Sequence, residues 1–150
     1  MRVILQRVSK AQVEVKNATV GSIEKGFLLL IGIEDSDGSE DIVWMSRKIC
    51  SLRIFSDDQG KMNLDIHEVE GQILAVSQFT LHAKYKKGSR PSFIRAAHPD
   101  HAVPIFNQMC VQLEKDLGKP IETGEFGAMM NVDLVNDGPV TLFIDSKNKE

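Results

Sequence analysis

The sequence predicts an α+β fold: a mostly antiparallel or mixed, barrel-like β-sheet with two main helices, in a single domain. Short apolar and β-branched runs fill the first third of the chain. Two later segments carry apolar residues at helical spacing, and the last third returns to strands. The order strands, helix, strands, helix, strands is typical of α+β folds rather than of a doubly wound parallel sheet. A length of 150 residues indicates one domain.

The first strands are predicted from short apolar stretches. Val3, Leu5 and Val8 stand in imperfect alternation with polar residues, which suits a strand with one exposed face. The run Phe27–Ile33 follows Gly26 and is apolar apart from one further glycine. Because it shows no alternation, it suits a strand that is buried on both faces.

The first helix is predicted to begin after Asp37, with Glu40 three residues later in a capping-box arrangement. Apolar residues then recur every three or four positions, which predicts one stripe facing the core. The stripe consists of Ile42, Met45, Ile49 and Leu52. A return to strand is predicted at Leu52–Phe55.

The middle of the chain predicts one long strand, Gly71–Leu81, which ends where a basic segment begins. A second helix is predicted from about Asp100 to Leu117, stopped by Gly118 and then Pro120. The predicted buried side of this helix consists of Ala102, Ile105, Met109, Val111, Leu113 and Leu117.

The last segment is predicted as two strands, Met129–Val135 and Val140–Asp145, on either side of a turn at Asn136–Pro139. An Asp-Gly-Pro sequence before a β-branched run usually marks a turn that enters a strand. Considered alone, the Gly138–Pro139 bond is expected to be trans, since only about 5–6% of X–Pro bonds in folded proteins are cis.

The composition is that of a soluble globular protein, with 42% hydrophobic and 26% charged residues. No apolar run approaches the roughly 20 residues of a membrane helix, and the start is too short and too quickly charged for a signal peptide. These features predict a cytoplasmic protein. Cys50 and Cys110 lie in separate helical stretches among apolar residues, which predicts two free thiols.

Metal, cofactor and conventional nucleophile chemistry are not predicted. His98 and His101 flank Asp100 but have no third ligand, and no glycine-rich phosphate-binding loop is present. Ser77 lacks the Gly-x-Ser-x-Gly elbow. Thr80 has no base next to it in sequence, so it is either a nucleophile with a distant partner or a locally hydrogen-bonded strand residue.

A basic segment, Lys84–Arg95, stands out against the net charge of −3. It contains no acidic residue, and its cations are Lys84, Lys86, Lys87, Arg90 and Arg95. Two interpretations remain open. The segment is either a solvated loop that keeps the protein soluble or a docking surface for a short stretch of phosphates.

Two motifs of the chain, taken together, resemble the signature motifs of the D-aminoacyl-tRNA deacylases, also called D-tyrosyl-tRNA deacylases. They are Ser77-Gln78-Phe79-Thr80-Leu81 and Asn136-Asp137-Gly138-Pro139-Val140-Thr141. Three further stretches also look like this family, so the resemblance covers essentially the whole chain. They are Gln6–Val8, Lys87–Phe93 and Gly124–Met129.

The resemblance implies a homodimer that hydrolyses the ester joining a D-amino acid to the terminal ribose of tRNA and that rejects the L form. It implies that the catalytic residues lie at one strand end and are Ser77, Gln78, Phe79 and Thr80. Backbone N–H groups there would stabilise the oxyanion, and no cofactor would be needed. In this family the Gly138–Pro139 bond is cis, and the dipeptide enters the active site of the other subunit. The chiral wall and its surroundings would comprise Gly138, Pro139, Arg7, Met129 and Met130.

With tRNA as the substrate, the docking interpretation of the basic segment predicts that the acceptor end binds Lys84, Lys86, Lys87 and Arg90. Glycine, which has no side chain to clash, would be removed as well when it is mischarged on tRNA(Ala). Two alternatives lie outside this class: a small RNA-binding module without catalysis, which uses the same basic segment and stacking aromatic residues, and a structural dimer whose only purpose is assembly.

Overall fold

The 14-residue strand β1 (Arg2–Val15) is hydrogen-bonded along both of its edges. The strands β2 (Ala18–Ile23) and β3 (Gly26–Gly32) share one edge, and β8 (Asn131–Asp145) runs antiparallel along the other. This computed structural model describes all residues from 1 to 150. The remaining elements are α1 (Ser39–Ser51), β4 (Phe55–Ser56), β5 (Met62–Leu64), β6 (Gln72–Ser77), α2 (Pro99–Leu117) and β7 (Glu122–Thr123).

The main sheet is mixed and curls into a nearly closed barrel, as the sequence predicts. β6 is parallel to β3, and β7 is parallel to β6, whereas the partners of β1 are all antiparallel to it. The two ends of the sheet then approach each other. A Cβ atom on Gly21 of β2 would lie 2.6 Å from the carbonyl oxygen of Thr123 in β7. Glycine is therefore required where the barrel nearly closes.

Two apolar cores lie on the two faces of the sheet. The larger core lies between the sheet and the two helices and includes Phe27, Leu29 and Ile31 of β3. The smaller core fills the barrel and includes Leu28 and, from β6, Leu74. Alternate residues of β3 thus enter different cores, which confirms that this strand is buried on both faces.

The helix α1 starts one residue later than predicted. Its N-cap is Gly38, whose N–H donates to the carboxylate of Asp41 at 3.0 Å. Asp37 is not the cap, because its buried carboxylate is occupied elsewhere: it accepts the N–H of Glu34 at 2.9 Å and pairs with the α-ammonium of Met1.

The predicted core stripe of α1 is buried at Ile42, Met45 and Ile49, while Leu52 is the half-buried residue that follows the helix. The strand predicted at Leu52–Phe55 is shorter, since β4 begins only at Phe55.

The helix α2 ends at Gly118, which has a left-handed backbone with φ of 77°, as the sequence predicts. One predicted core residue is wrong. Val111 is 64% exposed, whereas Phe106 is buried in its stead. At 100° per residue, Val111 lies about 200° around the helix from Met109, so it faces away from the buried side. Neither helix combines the length and apolar character needed to cross a bilayer.

The prediction of one long strand over Gly71–Leu81 is wrong. β6 ends at Ser77, and Phe79–His82 forms a short 3-10 turn. The strand ends because its partner β3 ends at Gly32, which leaves no further backbone to pair with. The turn packs closely on that glycine, since a Cβ atom there would lie 2.9 Å from the carbonyl oxygen of Gln78.

The prediction of two strands separated by a turn at Asn136–Pro139 is also wrong. Both halves belong to the single strand β8, which runs antiparallel to β1 before and after this segment. Asn136 lies opposite Val8, and Thr141 lies opposite Gln6. Between these pairs β8 advances by five residues while β1 advances by two. The turn residues therefore form an outward excursion of one strand instead of reversing the chain. The Gly138–Pro139 bond is cis.

Candidate active site

The first predicted site motif lies at the end of β6. Ser77 is the last residue of this strand and lies opposite Ile31 of β3. The N–H of Gln78 donates to the carbonyl oxygen of Ile31 at 2.8 Å. The sheet therefore holds the backbone rigidly up to the residue before the turn.

The Phe79–His82 turn presents its first N–H groups at this sheet end. Its first internal hydrogen bond runs from the N–H of Leu81 to the carbonyl of Gln78 at 3.3 Å. The N–H groups of Phe79 and Thr80 precede that bond. The geometry of a helical turn leaves such leading N–H groups without a partner inside the turn, which makes them suitable donors to a bound carbonyl or oxyanion.

The side chains of Gln78 and Thr80 are hydrogen-bonded to each other. The Gln78 amide nitrogen donates to the Thr80 hydroxyl oxygen. An amide does not accept a proton as a general base does, and the hydroxyl has no hydrogen bond to a carboxylate or an imidazole. The Thr80 hydroxyl is thus held by Gln78, and no base of the same chain contacts it.

A mostly apolar cavity of about 690 Å³ opens beside the turn. Ser77, Gln78 and Phe79 form one edge. Its size lies within the roughly 300–1,000 Å³ that is usual for small-molecule sites. The other lining residues are Ile31, Ile33, Val76, Phe93, Ala96, Ala97, His98, Pro99, Ala102, Phe126, Gly127, Ala128, Met129, Met130 and Val132.

The far wall of the cavity comes from the stretch that follows β7. Met129 is 93% exposed at the rim, and Met130 packs inward. Gly124 makes this packing possible, since a Cβ atom there would lie 2.6 Å from the sulfur of Met130. Both methionines predicted for the pocket therefore line it, although one of them is almost free of contacts.

The basic segment is attached to the rim of the cavity. Lys84 and Ser92 pair through two backbone hydrogen bonds of 2.7 and 2.9 Å. These bonds close the base of a loop whose own cations are exposed. Phe93, the next residue, meets the ring of Phe79 edge-to-face at 5.1 Å between centroids. The ion pair of the segment joins Arg95 to Glu34 at 3.5 Å. The base of the loop that carries the exposed lysines thus contacts Phe79.

The second predicted motif is held by a buried arginine. Nε of Arg7 donates to the carbonyl of Asp137 at 3.0 Å and lies 3.3 Å from its carboxylate. Nη1 of Arg7 donates to the carbonyl of Ile54 at 2.5 Å. Gly138 has φ of 129°, and a Cβ atom on it would lie 2.9 Å from Nη2 of Arg7. A glycine is therefore needed at this position.

The two motifs do not meet within one chain. Gly138 and Pro139 are absent from the cavity lining. Ser77 pairs with Ile31 of β3, and Ile31 pairs with Val3 of β1. The excursion of β8 lies beside Arg7, four residues further along β1. Four residues along β1 correspond to about 13 Å, and three strand spacings of about 4.8 Å add to this separation across the sheet. A single subunit therefore places the second motif well away from the first.

Thiol chemistry is disfavoured and no metal cluster is present. Burial raises the pKa of Cys50 to about 12, with Asp116 and Asp65 adding to the effect. Burial and Glu114 raise the pKa of Cys110 to about 12. Both cysteines are free, as predicted. No group of three metal-ligating side chains comes together anywhere in the chain.

Sequence reasoning missed the aromatic lining of the cavity. Phe93 and Phe126 lie in two of the family-like stretches, but the sequence assigns neither to the site. The signal for their position is the nearby interruption of regular structure, since Phe93 follows Pro91 by two residues and Phe126 precedes Gly127.

The comparisons with known proteins agree over the whole chain. A family model described as D-Tyr-tRNA(Tyr) deacylase matches residues 4–145. Proteins named D-aminoacyl-tRNA deacylase from Flavobacterium psychrophilum and Bacteroides fragilis are each 55% identical over 150 residues, covering 100% of both chains.

Solved structures show the same fold. The c-Myc DNA unwinding element binding protein superposes with a TM-score of 0.89 at 37% identity, covering 97% of this chain and 98% of the other. A probable eukaryotic D-amino acid tRNA deacylase superposes with a TM-score of 0.80 at 20% identity, covering 95% and 97% of the two chains. This second likeness concerns the fold alone.

These findings define the class of protein: it is an enzyme, a hydrolase of the aminoacyl-tRNA deacylase kind. The chain belongs to the D-Tyr-tRNA(Tyr) deacylase family, which confirms the family predicted from its motifs.

Arg7→Lys should destabilise the protein, because one ammonium cannot span the carbonyls of Asp137 and Ile54. A hydrogen bond to a charged group contributes about 1.5–3 kcal/mol, so the free energy of unfolding should fall by that order. Denaturant unfolding measures the change. The control is Arg53→Lys, where the side chain is exposed and bonds only Asn63; its effect should stay below about 1 kcal/mol. Equal effects of both substitutions would contradict the anchoring role of Arg7.

Proposed function

We propose that this protein hydrolyses the ester between a D-amino acid and the terminal ribose of tRNA, and that it spares the L form. The enzyme would act in the cytoplasm, where aminoacyl-tRNA is formed. The observation that carries the proposal is the Phe79–His82 turn, whose leading N–H groups stand at the edge of an apolar cavity. Membership of the deacylase family supports the choice of substrate.

The reaction requires only a modest catalyst, since an aminoacyl ester is already activated. Water adds to the ester carbonyl, the bond to the ribose oxygen breaks, and that oxygen takes up a proton. The N–H groups of Phe79 and Thr80 are positioned to stabilise the oxyanion formed in between, which is the largest contribution in many acyl transfers. Gln78 would orient the ester or the water. Ser77 would support the strand end.

The apolar cavity suits the terminal adenosine. A purine ring is flat and apolar on its faces, and aromatic side chains bind such faces by stacking. Phe79, Phe93 and Phe126 stand in the lining beside the N–H donors. A base held there would place its own ribose and ester at the Phe79–His82 turn. Met129 and Met130 would close the far side.

The basic segment would dock the phosphates of the acceptor end. Its cations Lys84, Lys86, Lys87 and Arg90 are exposed, and the loop that holds them joins the cavity rim at Phe93. Phosphate contacts of this kind fix the position of the nucleic acid without reading its sequence. The docking interpretation therefore agrees with an enzyme that acts on many tRNAs.

Chiral rejection is assigned to Gly138 and Pro139 of a partner subunit in a homodimer. Within one chain these residues lie far from Ser77 and the turn, so they can serve the cavity only from a second chain. A rigid backbone wall there would exclude an L side chain while it tolerates many D side chains. Glycine, including glycine mischarged on tRNA(Ala), would not be excluded. Arg7 would keep the wall in place.

Deacylation of matched D- and L-tyrosyl-tRNA tests the proposal. The D substrate should release free tyrosine at a rate well above the uncatalysed one, while the L substrate should stay at the uncatalysed rate. Release is followed by acid-precipitable label. Similar rates for both enantiomers would refute chiral selection. No release from either would favour a non-catalytic RNA-binding module.

The 2′-hydroxyl of the terminal adenosine lies next to the ester and would assist its hydrolysis. Catalysis should depend on this group more than on the Thr80 hydroxyl, because the Thr80 hydroxyl bonds only an amide. Thr80→Ala should retain activity within about tenfold of the unaltered enzyme, whereas D-tyrosyl-tRNA ending in 2′-deoxyadenosine should lose about 10²-fold or more in kcat. Single-turnover kinetics measure both. Full activity on the deoxy substrate together with an inactive Thr80→Ala enzyme would reverse the assignment.

Mixed dimers test the shared site. Phe79→Pro removes one N–H donor at a helix position that tolerates proline, and losing such a donor reduces kcat by about 10²–10³. Gly138→Ala introduces a Cβ atom at a backbone φ of 129° and 2.9 Å from Arg7. The Phe79→Pro homodimer should be nearly inactive, and the Gly138→Ala homodimer should no longer cleave the D substrate selectively. The heterodimer should regain one intact site, with selective activity about half of normal. Phe79→Ala, which keeps the N–H, is the matched control. A verified heterodimer without activity would exclude a shared site.

A further inference from the structure

His82 is the one fully buried residue of the Phe79–His82 turn, and the function proposed above does not use it. Its side chain has no exposed surface, and neither ring nitrogen has a hydrogen-bond partner. The large majority of buried polar side-chain atoms have at least one partner. An apolar residue would fill this space without leaving polar atoms unpaired, so packing alone does not account for a histidine here.

The ring of His82 joins the turn to the end of β3. A Cβ atom on Gly32 would lie 3.2 Å from Cδ2 of His82 and 2.9 Å from Cβ of Leu81. The backbone of Gly32 faces the ring closely without reaching hydrogen-bond geometry. Phe79, by contrast, is 56% exposed. The buried imidazole, together with Leu81, therefore packs the turn against the end of β3.

Burial opposes protonation of the ring, and the nearby charges act in both directions. Burial is the largest cause and lowers the pKa of His82; the backbone of Gly32 and the carboxylate of Glu34 act in the opposite direction, and Arg2 and the α-ammonium of Met1 lower the pKa further. Arg2 is fixed nearby, since its Nη1 donates to the carbonyl of Leu81 at 3.0 Å. A protonated ring would thus be an enclosed cation beside a guanidinium.

We propose that His82 is a positioning residue: its neutral ring holds the Phe79–His82 turn against β3, and its protonation releases the turn. The N–H groups of Phe79 and Thr80 then lose their fixed direction while the rest of the fold persists. The effect on catalysis rests on the function proposed above, whereas the opening of the turn does not.

The direction of the pH dependence follows from linkage. Above the ordinary histidine pKa of about 6.5 the ring is neutral whether the turn is closed or open, and closure is fully stabilised. Below it the open form takes up a proton that the closed form excludes. Stability of the closed turn is therefore lost as the pH falls through the lowered pKa of the buried ring.

Deacylation rates between pH 5 and 8 test the effect on activity, with the uncatalysed hydrolysis subtracted. His82→Leu cannot titrate there, so the ratio of its kcat to that of the unaltered enzyme should be constant above pH 7. Below the pKa of His82 the ratio should rise by up to about tenfold per pH unit. His67→Leu, which replaces an exposed histidine, should keep the unaltered profile. A constant ratio over the whole range would overturn the proposal.

Two measurements on the unaltered protein are independent of activity. NMR titration should give the His82 ring a pKa below the ordinary histidine value of about 6.5. Amide exchange, corrected for the intrinsic effect of pH, should show that Leu81 and Ala83, whose N–H groups close the turn, lose protection as His82 titrates. Helices and β1 should stay protected.

An ordinary pKa for His82, or protection of the turn that is unchanged by its titration, would overturn the proposal. If His82→Leu does not fold, His82→Gln replaces it in the kinetic test. If no deacylation occurs with any substrate, the proposed function fails, and the titration with the exchange data still decides the role of His82.

Discussion

The pairing of β1 along both of its edges is the constraint on which the rest of the structure depends. One edge takes β2 and β3 in succession, and the other edge takes β8 over almost its whole length. A strand with two filled edges has no freedom to shift its register, because a slip by one residue would exchange its buried and exposed faces. The barrel, the helix-covered core and both candidate motifs are positioned from this strand.

The same constraint explains the shape of the two motifs. The Phe79–His82 turn forms where β3 ends and β6 has no partner left. The Gly138–Pro139 excursion forms where β8 has more residues than β1 can pair. Arg7 belongs to β1 itself and satisfies the carbonyl of Asp137 in that excursion. A buried guanidinium is stable only if its donors are paired, so the excursion and the strand hold each other.

The candidate site is thus a surface assembled from sheet ends rather than a preformed enclosed pocket. Rigid backbone supplies the N–H groups of Phe79 and Thr80, apolar side chains supply the cavity, and an exposed basic loop is attached to its rim through Phe93. Hydrogen bonds of the sheet hold the backbone, apolar packing holds the cavity, and the Phe79–Phe93 contact holds the loop. Because the exposed cations lie on the loop at the rim, their charge does not enter the apolar cavity.

The sequence by itself determined the α+β class, β3, both helices and the family, since these depend on periodicity, capping residues and short motifs that are local in the chain. Only the tertiary structure decided where strands end and whether a segment rich in turn residues reverses the chain. Leu81 has strand-like neighbours but lies in a turn because β3 ends at Gly32. Asn136–Pro139 has turn residues but stays within one strand because β1 pairs with both of its sides. Val111 is exposed since burial depends on which side of α2 faces the sheet. Strand pairing and burial are set by partners that are distant in sequence, and a local pattern does not contain them.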